Sequence, residues 1–283
     1  MTDSTQHKAL QEAIMRGASY RLAQEDLEFL ASDDLRPLRL QLELQKPEAA
    51  LRKLNIHSTI VVFGSARIIP PIEARAQLAR VKALAQAQPD DPGIQLELTK
   101  VKRRLLYSRY YDEARRFAQM VSSHFQDKEQ HDFVIVTGGG PGIMEAANRG
   151  AFEMEAHSIG LNITLPHEQA PNPFISPELA FRFHYFALRK MHFLLRARAL
   201  VAFPGGYGTL DELLEVLNLV QTSKMARIPI VLVGRAFWRR AVHFDFLVEE
   251  GMISEADAAL ITIVENAEEA IAILHDFYQS ILP

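Results

Sequence analysis

Cysteine is absent from the 283 residues, which excludes a disulfide framework, a zinc–thiolate site, an iron–sulfur cluster and a thiol nucleophile together. No stretch approaches the roughly 18 apolar residues that a membrane-spanning helix needs. The polar, mixed-charge opening from Met1 to Gly17 lacks the apolar core of a secretory signal. Basic runs are missing too. With 31 Lys and Arg against 35 Asp and Glu, the net charge is −4, so neither a nucleic-acid polymer nor a membrane is an expected partner. The cytoplasm is the expected compartment. What is present, 48% hydrophobic and 23% charged residues, is the composition of a chain that buries an ordinary core.

Residues 1–55 read as an N-terminal helical extension, with Leu10, Ile14, Leu22, Leu27 and Leu30 near helical spacing. Within it Leu38, Leu40, Leu42 and Leu44 alternate as in a strand, while Leu35, Leu38 and Leu42 also fit a helix face. Pro37 suits a first helical turn, so helix is preferred. From residue 56 to 283 strands and helices alternate. Thr59–Phe63 reads as a buried strand entering the tight loop Gly64-Ser65-Ala66-Arg67. Two amphipathic stretches, 72–88 and 94–125, flank the breaker Pro89-Asp90-Asp91-Pro92-Gly93 and form a helical hairpin insertion over 72–125.

Strands follow at Phe133–Val136, Ser158–Ile163, Leu200–Phe203, Pro229–Val233 and Ile261–Val264, and helices at Ile143–Glu155, Tyr185–Arg198, Leu210–Gln221, Phe237–Glu250 and Ala267–Gln279. The proline-rich segment from Leu165 to Pro177 is a loop. This alternation predicts an α/β, Rossmann-like, doubly wound and mostly parallel sheet.

Two glycine turns stand between strand and helix: Gly138-Gly139-Gly140-Pro141-Gly142, and Pro204-Gly205-Gly206-Tyr207-Gly208-Thr209. In an open α/β sheet such turns lie where ligands bind, and a helix start offers free N–H groups to a phosphate. A glycine turn is also the plain way to join a strand to a helix. Neither turn carries the Lys-Ser/Thr ending of a P-loop, and no acidic residue ends the next strand as a ribose anchor for a dinucleotide. Thr209 is placed to cap the second helix and to bond phosphate. Glu212, three residues on, either reaches back as a capping-box glutamate or presents a carboxylate to a bound sugar.

These segments, with Ile143-Met144-Glu145, Arg189-Lys190 and Leu210-Asp211-Glu212, resemble the LOG ("Lonely Guy") family, once described as lysine decarboxylases. The resemblance spans about Thr59 to Phe246, with PGGxGTxxE its most specific element. It implies a Rossmann-like fold, a homodimer without a cofactor, and hydrolysis of the N-glycosidic bond of a nucleoside 5′-monophosphate to free base and ribose 5-phosphate. By position, Arg189 and Glu212 match the catalytic arginine and glutamate; Gly205, Gly206, Gly208 and Thr209 match the phosphate loop, and Gly139 and Gly140 its companion. Ser65 and Lys190 join them as substrate-binding residues. Residues 1–55 and 72–105 are absent from the short plant-like members, and Glu145 stands where those have glycine.

The chemistry has its own rationale. Cleaving a ribosyl C–N bond builds positive charge on the sugar, which a carboxylate such as Glu212 stabilises, while Arg189, never a base, anchors the nucleotide or the leaving base. AMP or a cytokinin riboside 5′-monophosphate is the expected substrate. The alternative is a non-catalytic nucleotide or cofactor-carrier module of the same fold. Lysine decarboxylation, the third reading, demands pyridoxal phosphate and an aldimine absorbance band. No His, Asp and Glu spacing suggests a metal, His167-Glu168 is a candidate for the base pocket, and the apolar faces around Phe181–Arg198 and Leu210–Lys224 suit a dimer seam.

Overall fold

The computed structural model describes residues 2–126, 131–164 and 170–279. Residues 1–46 and 47–283 separate into two units. The first contains α1 (Thr2–Arg16), α2 (Leu27–Ala31) and most of α3 (Arg36–Lys53), with Asp26 capping α2 through the Phe29 N–H. The segment bearing Leu38, Leu40, Leu42 and Leu44 is therefore helical, and Pro37 lies in its first turn.

Among the described residues the second unit is built on seven strands: β1 (Thr59–Phe63), β2 (Val134–Thr137), β3 (Ser158–Ile163), β4 (Ala180–Phe183), β5 (Ala197–Ala202), β6 (Ile230–Val233) and β7 (Ile261–Val264). They lie in the order β4-β3-β2-β1-β5-β6-β7, and every neighbouring pair is parallel. Every residue of β1, β2 and β6 is buried, as expected of strands covered on both faces. The side-chain alternation of a strand divides them between two cores. Ile60 and Val62 pack in one, with Phe117, Ile143 and Leu274; Val61 and Phe63 pack in the other, with Phe193, Leu213 and Trp238.

The helices of this unit are α4 (Pro71–Ala87), α5 (Pro92–Tyr107), α6 (Arg109–Phe125), α7 (Ile143–Glu153), α8 (Phe186–Leu194), α9 (Tyr207–Gln221), α10 (Arg235–Ala241), α11 (Phe244–Glu249), α12 (Glu255–Ala258) and α13 (Ala267–Gln279). Among the described residues no helix is long and apolar enough to cross a membrane.

Four differences from the sequence reading matter. The stretch 94–125 is two helices, not one, parted at Ser108; α5 packs on α4 as the hairpin, whereas α6 buries Tyr110, Tyr111, Ala114, Phe117, Ala118 and Val121 against the sheet. The helix expected over Tyr185–Arg198 runs only from Phe186 to Leu194, its finish given to β5, and edge strand β4, just before it, is an addition. The helix expected over Phe237–Glu250 breaks at Val242 and His243 into α10 and α11. Finally, α12 has its own capping box, Ser254 with Asp257, which went unread. In the proline-rich segment, residues 165–169 and with them His167 and Glu168 lie outside the described residues.

Strand order reverses between β1 and β5. The chain winds outward from β1 through β2, β3 and β4, then returns to β5 on the other side of β1 and continues to β6 and β7. The carboxyl ends of β1 and β5 therefore frame the crevice where ligands of such sheets bind.

Candidate active site

A cleft of about 1310 Å³ opens at this switch point. Its floor is three turns: Gly64 to Arg67 after β1, Gly138 after β2, and Pro204 to Glu212 after β5 and along the start of α9. Backbone bonds lock the turns together, Ser65 N to the Pro204 carbonyl at 3.0 Å and Ile143 N to the Ser65 carbonyl at 3.2 Å. Gly142 makes that closeness possible: its φ is +74°, and a Cβ there would stand 2.4 Å from the Ser65 carbonyl oxygen.

Helix α9 begins at Tyr207 with Gly206 as its N-cap. Thr209 is thus in the third position of the helix and is not its cap, a correction to the sequence reading; its hydroxyl faces Gly205, where a Cβ would meet Thr209 Oγ1 at 2.1 Å. Gly206 and Gly208 differ from Gly205 in the space around them. Neither has a positive φ, and a Cβ on either would meet nothing within 4 Å. Internal packing does not ask for glycine at these two positions; a ligand drawn close to the first-turn amides would. No acidic side chain occupies that turn, so the positive end of the helix is uncompensated. Gly206→Ala and Gly208→Ala are therefore expected to leave the protein folded, checked by a thermal melt, while weakening binding of a phosphorylated ligand about tenfold, measurable by calorimetry.

Glu212 sits one turn further along α9 and is 6% exposed. The capping-box alternative is excluded by the geometry, because the Thr209 N–H bonds the Gly206 carbonyl at 3.0 Å and Glu212 Oε2 has no hydrogen-bond partner. Burial pushes the Glu212 carboxyl above its ordinary value of 4.5; Lys190 opposes that shift and the nearby Glu215 adds to it. Across the cleft, Arg189 on α8 donates from Nε to the Leu161 carbonyl at 2.6 Å and lies over the Phe193 ring at 5.1 Å. Burial lowers the Arg189 pKa and Glu212 works to raise it. Gly138 leaves room for the guanidinium: a Cβ there would be 2.7 Å from Arg189 Nη2.

The remaining sequence candidates divide. Ser65, Gly205, Gly206, Gly208 and Thr209 line the cleft with Arg189 and Glu212. Gly139 and Gly140 are turned toward Asn172, whose N–H and side-chain amide bond their carbonyls at 2.9 and 3.1 Å. Lys190 points away from the cleft lining into the carboxylates of α9, at 2.6 Å from Asp211, 3.0 Å from Glu215 and 3.5 Å from Glu212. Burial works against its charge, but Asp211 and Glu215 prevail and hold the ammonium above its ordinary pKa, the opposite of what a Schiff-base lysine needs. Glu145 accepts the Tyr111 hydroxyl at 2.7 Å. The sequence reading missed the walls: Met144 and Phe186 beside Arg189, Phe237 on α10, and Gln77, Lys100, Arg103, Arg104 and Tyr107 on the hairpin. Only the period of α5 carried a signal for the last four.

Fold and site together define a Rossmann-like α/β protein with a glycine-framed cleft holding one buried carboxylate and one clamped arginine. The family model described as "Possible lysine decarboxylase" matches residues 144–274. Relatives include the cytokinin riboside 5′-monophosphate phosphoribohydrolase LOG1 of Arabidopsis thaliana, 29% identical over 147 residues, 51% of this chain and 68% of that protein. The phosphoribohydrolase LOG of Oryza sativa subsp. japonica is 29% identical over 148 residues, 51% and 60% of the two chains. Among solved structures, the molybdenum cofactor binding protein of Rippkaea orientalis aligns with 19% identity and a TM-score of 0.43 over 60% of this chain and 88% of that one. The chain is thus similar to the LOG phosphoribohydrolases over about half of its length, and the matched family model spans Arg189 and Glu212.

Proposed function

We propose that the chain hydrolyses the N-glycosidic bond of a purine nucleoside 5′-monophosphate, AMP or a cytokinin riboside 5′-monophosphate. One observation carries this reading: the buried carboxylate of Glu212 and the open backbone of Gly206 and Gly208 lie on the same helix end and line the same cleft as Arg189. The printed names of the relatives support it. The first turn of α9 holds the 5′-phosphate, and binding energy at that remote group positions the scissile bond. The C1′–N bond breaks toward the base, Glu212 stabilises the positive charge that develops on the ribose, and water adds its oxygen to C1′. The water proton that is released balances the nitrogen of the leaving base, with Arg189 steadying the nucleotide through its planar fork. Exposed Met191 on α8, Leu195 just past its end and Leu214 on α9 suit the seam of a homodimer, checked by light scattering.

Incubation of the purified protein with AMP and with a cytokinin riboside 5′-monophosphate is expected to release base and ribose 5-phosphate in equal amounts, followed by chromatography. Calorimetric binding of these nucleotides with no product across a purine panel would instead identify a carrier.

A further inference from the structure

The hairpin wall of the cleft has a charge pattern that a mononucleotide does not use. Lys100, Arg103, Arg104 and Tyr107 all line the cleft, and their spacing of three, four and seven residues places them in one stripe of α5. The stripe borders the cleft with three solvent-exposed cations. Among the described residues its ion-pair partner is Glu97, shared between Lys100 at 3.8 Å and Arg104 at 3.4 Å. Among the described residues, the side chains of Arg103 and of Arg67, on the turn after β1, have no hydrogen bond or ion pair.

The opposite wall offers the stripe fewer charges than it carries. Asp211 and Glu212 are the acidic residues of the cleft lining, and both are already held by Lys190. The chain as a whole carries a net charge of −4, yet its cleft is lined by Arg67, Lys100, Arg103, Arg104 and Arg189 against those two acids. Like charges three and four residues apart on a helix repel one another, and an anion between them relieves that repulsion. Space agrees with charge: the cleft, about 1310 Å³, exceeds the ~300–1,000 Å³ of usual small-ligand sites.

The geometry points to a second anion subsite on the hairpin, formed by Lys100, Arg103 and Arg104 with Arg67, that takes a second phosphoryl group of the nucleotide gripped by the α9 turn. This rests on the nucleotide reading of the cleft and extends it: a nucleotide that carries a second phosphoryl group binds this cleft more tightly than AMP, the expected substrate, does. Arginine forks suit such a group, since two parallel N–H donors match two phosphoryl oxygens.

The test is calorimetry at physiological salt with AMP, ADP, adenosine 3′,5′-bisphosphate and inorganic pyrophosphate, on the wild type and on the double variant Lys100→Ala/Arg103→Ala. Both side chains are exposed, and a thermal melt verifies that the variant is folded. At least one of the two-phosphoryl nucleotides is expected to bind the wild type about tenfold tighter than AMP, as one added charge-assisted contact provides. The double variant is expected to lose that gain and keep its AMP affinity. Equal affinities for AMP and both two-phosphoryl nucleotides in the wild type overturn the subsite and leave the mononucleotide reading intact. So does an equal loss for AMP and its two-phosphoryl analogues in the variant, which is general attraction with no local contact. Pyrophosphate binding that the variant abolishes, without any gain for ADP or the bisphosphate, overturns it in favour of a free anion. Failure of every nucleotide to bind the wild type removes the nucleotide reading itself.

Discussion

Glu212→Gln is expected to lower turnover of the nucleotide by at least about 100-fold, roughly 2.7 kcal/mol of lost transition-state stabilisation, and to raise the melting temperature at neutral pH. The two effects share a cause. A carboxylate buried beside the cleft is costly to ionise, and that cost is what holds the Glu212 pKa above 4.5. Below 4.5 the group is protonated in both the folded and the unfolded chain and costs nothing. As pH rises from 4.5 through the higher folded value, the unfolded chain ionises more readily and the wild type loses stability. The glutamine variant escapes that loss. Its melting advantage should therefore open across this window and close below it. Lys190 remains paired in the variant through Asp211 and Glu215. If the reaction uses the ionised form, kcat/KM of the wild type has an acid limb whose midpoint lies above 4.5. A glutamine variant that keeps wild-type turnover would remove Glu212 from the reaction.

Arg189 carries the second large effect. Arg189→Ala is expected to reduce kcat/KM by about 100-fold or more, and Arg189→Lys to recover little of it. The reason is geometric. Nε is spent on the Leu161 carbonyl at 2.6 Å and the plane of the guanidinium rests on Phe193, which fixes the direction of the remaining donors. An ammonium on a flexible stem supplies the charge without that fork. Full rescue by lysine, read from kcat and KM separately, would reduce Arg189 to a point charge. Alanine also leaves the Leu161 carbonyl without this donor, so a lower melting temperature is expected along with the kinetic loss.

Six of the seven strands were legible because each is an apolar or β-branched run, most of them next to a glycine turn or a proline. Edge strand β4, Ala180-Phe181-Arg182-Phe183, was not: four alternating residues after a proline-rich segment resemble the start of the helix that follows. The break between α5 and α6 has no glycine or proline, and Ser108 itself keeps helical angles, φ −61° and ψ −22°, so no residue announces it. Arg189 and Glu212 were found through motif resemblance, and the structure brings them to one cleft. The ion cluster around Lys190 needs α8 laid against α9, a tertiary fact. Lys100, Arg103 and Arg104 read in isolation as a solvated face, and only the fold shows which way that face turns.

The start of α9 makes the helix a ruler. If its first-turn amides hold the phosphate, the distance from that anchor to the carboxylate is fixed by backbone pitch: four residues from Gly208 to Glu212, or about 6 Å of rise at ~1.5 Å per residue. A nucleoside without its phosphate has no zero mark on this scale, and free phosphate added beside it restores none. One residue inserted between the two marks would swing the carboxylate by about 100° around the axis, so a change of length here uncouples the carboxylate from the anchor.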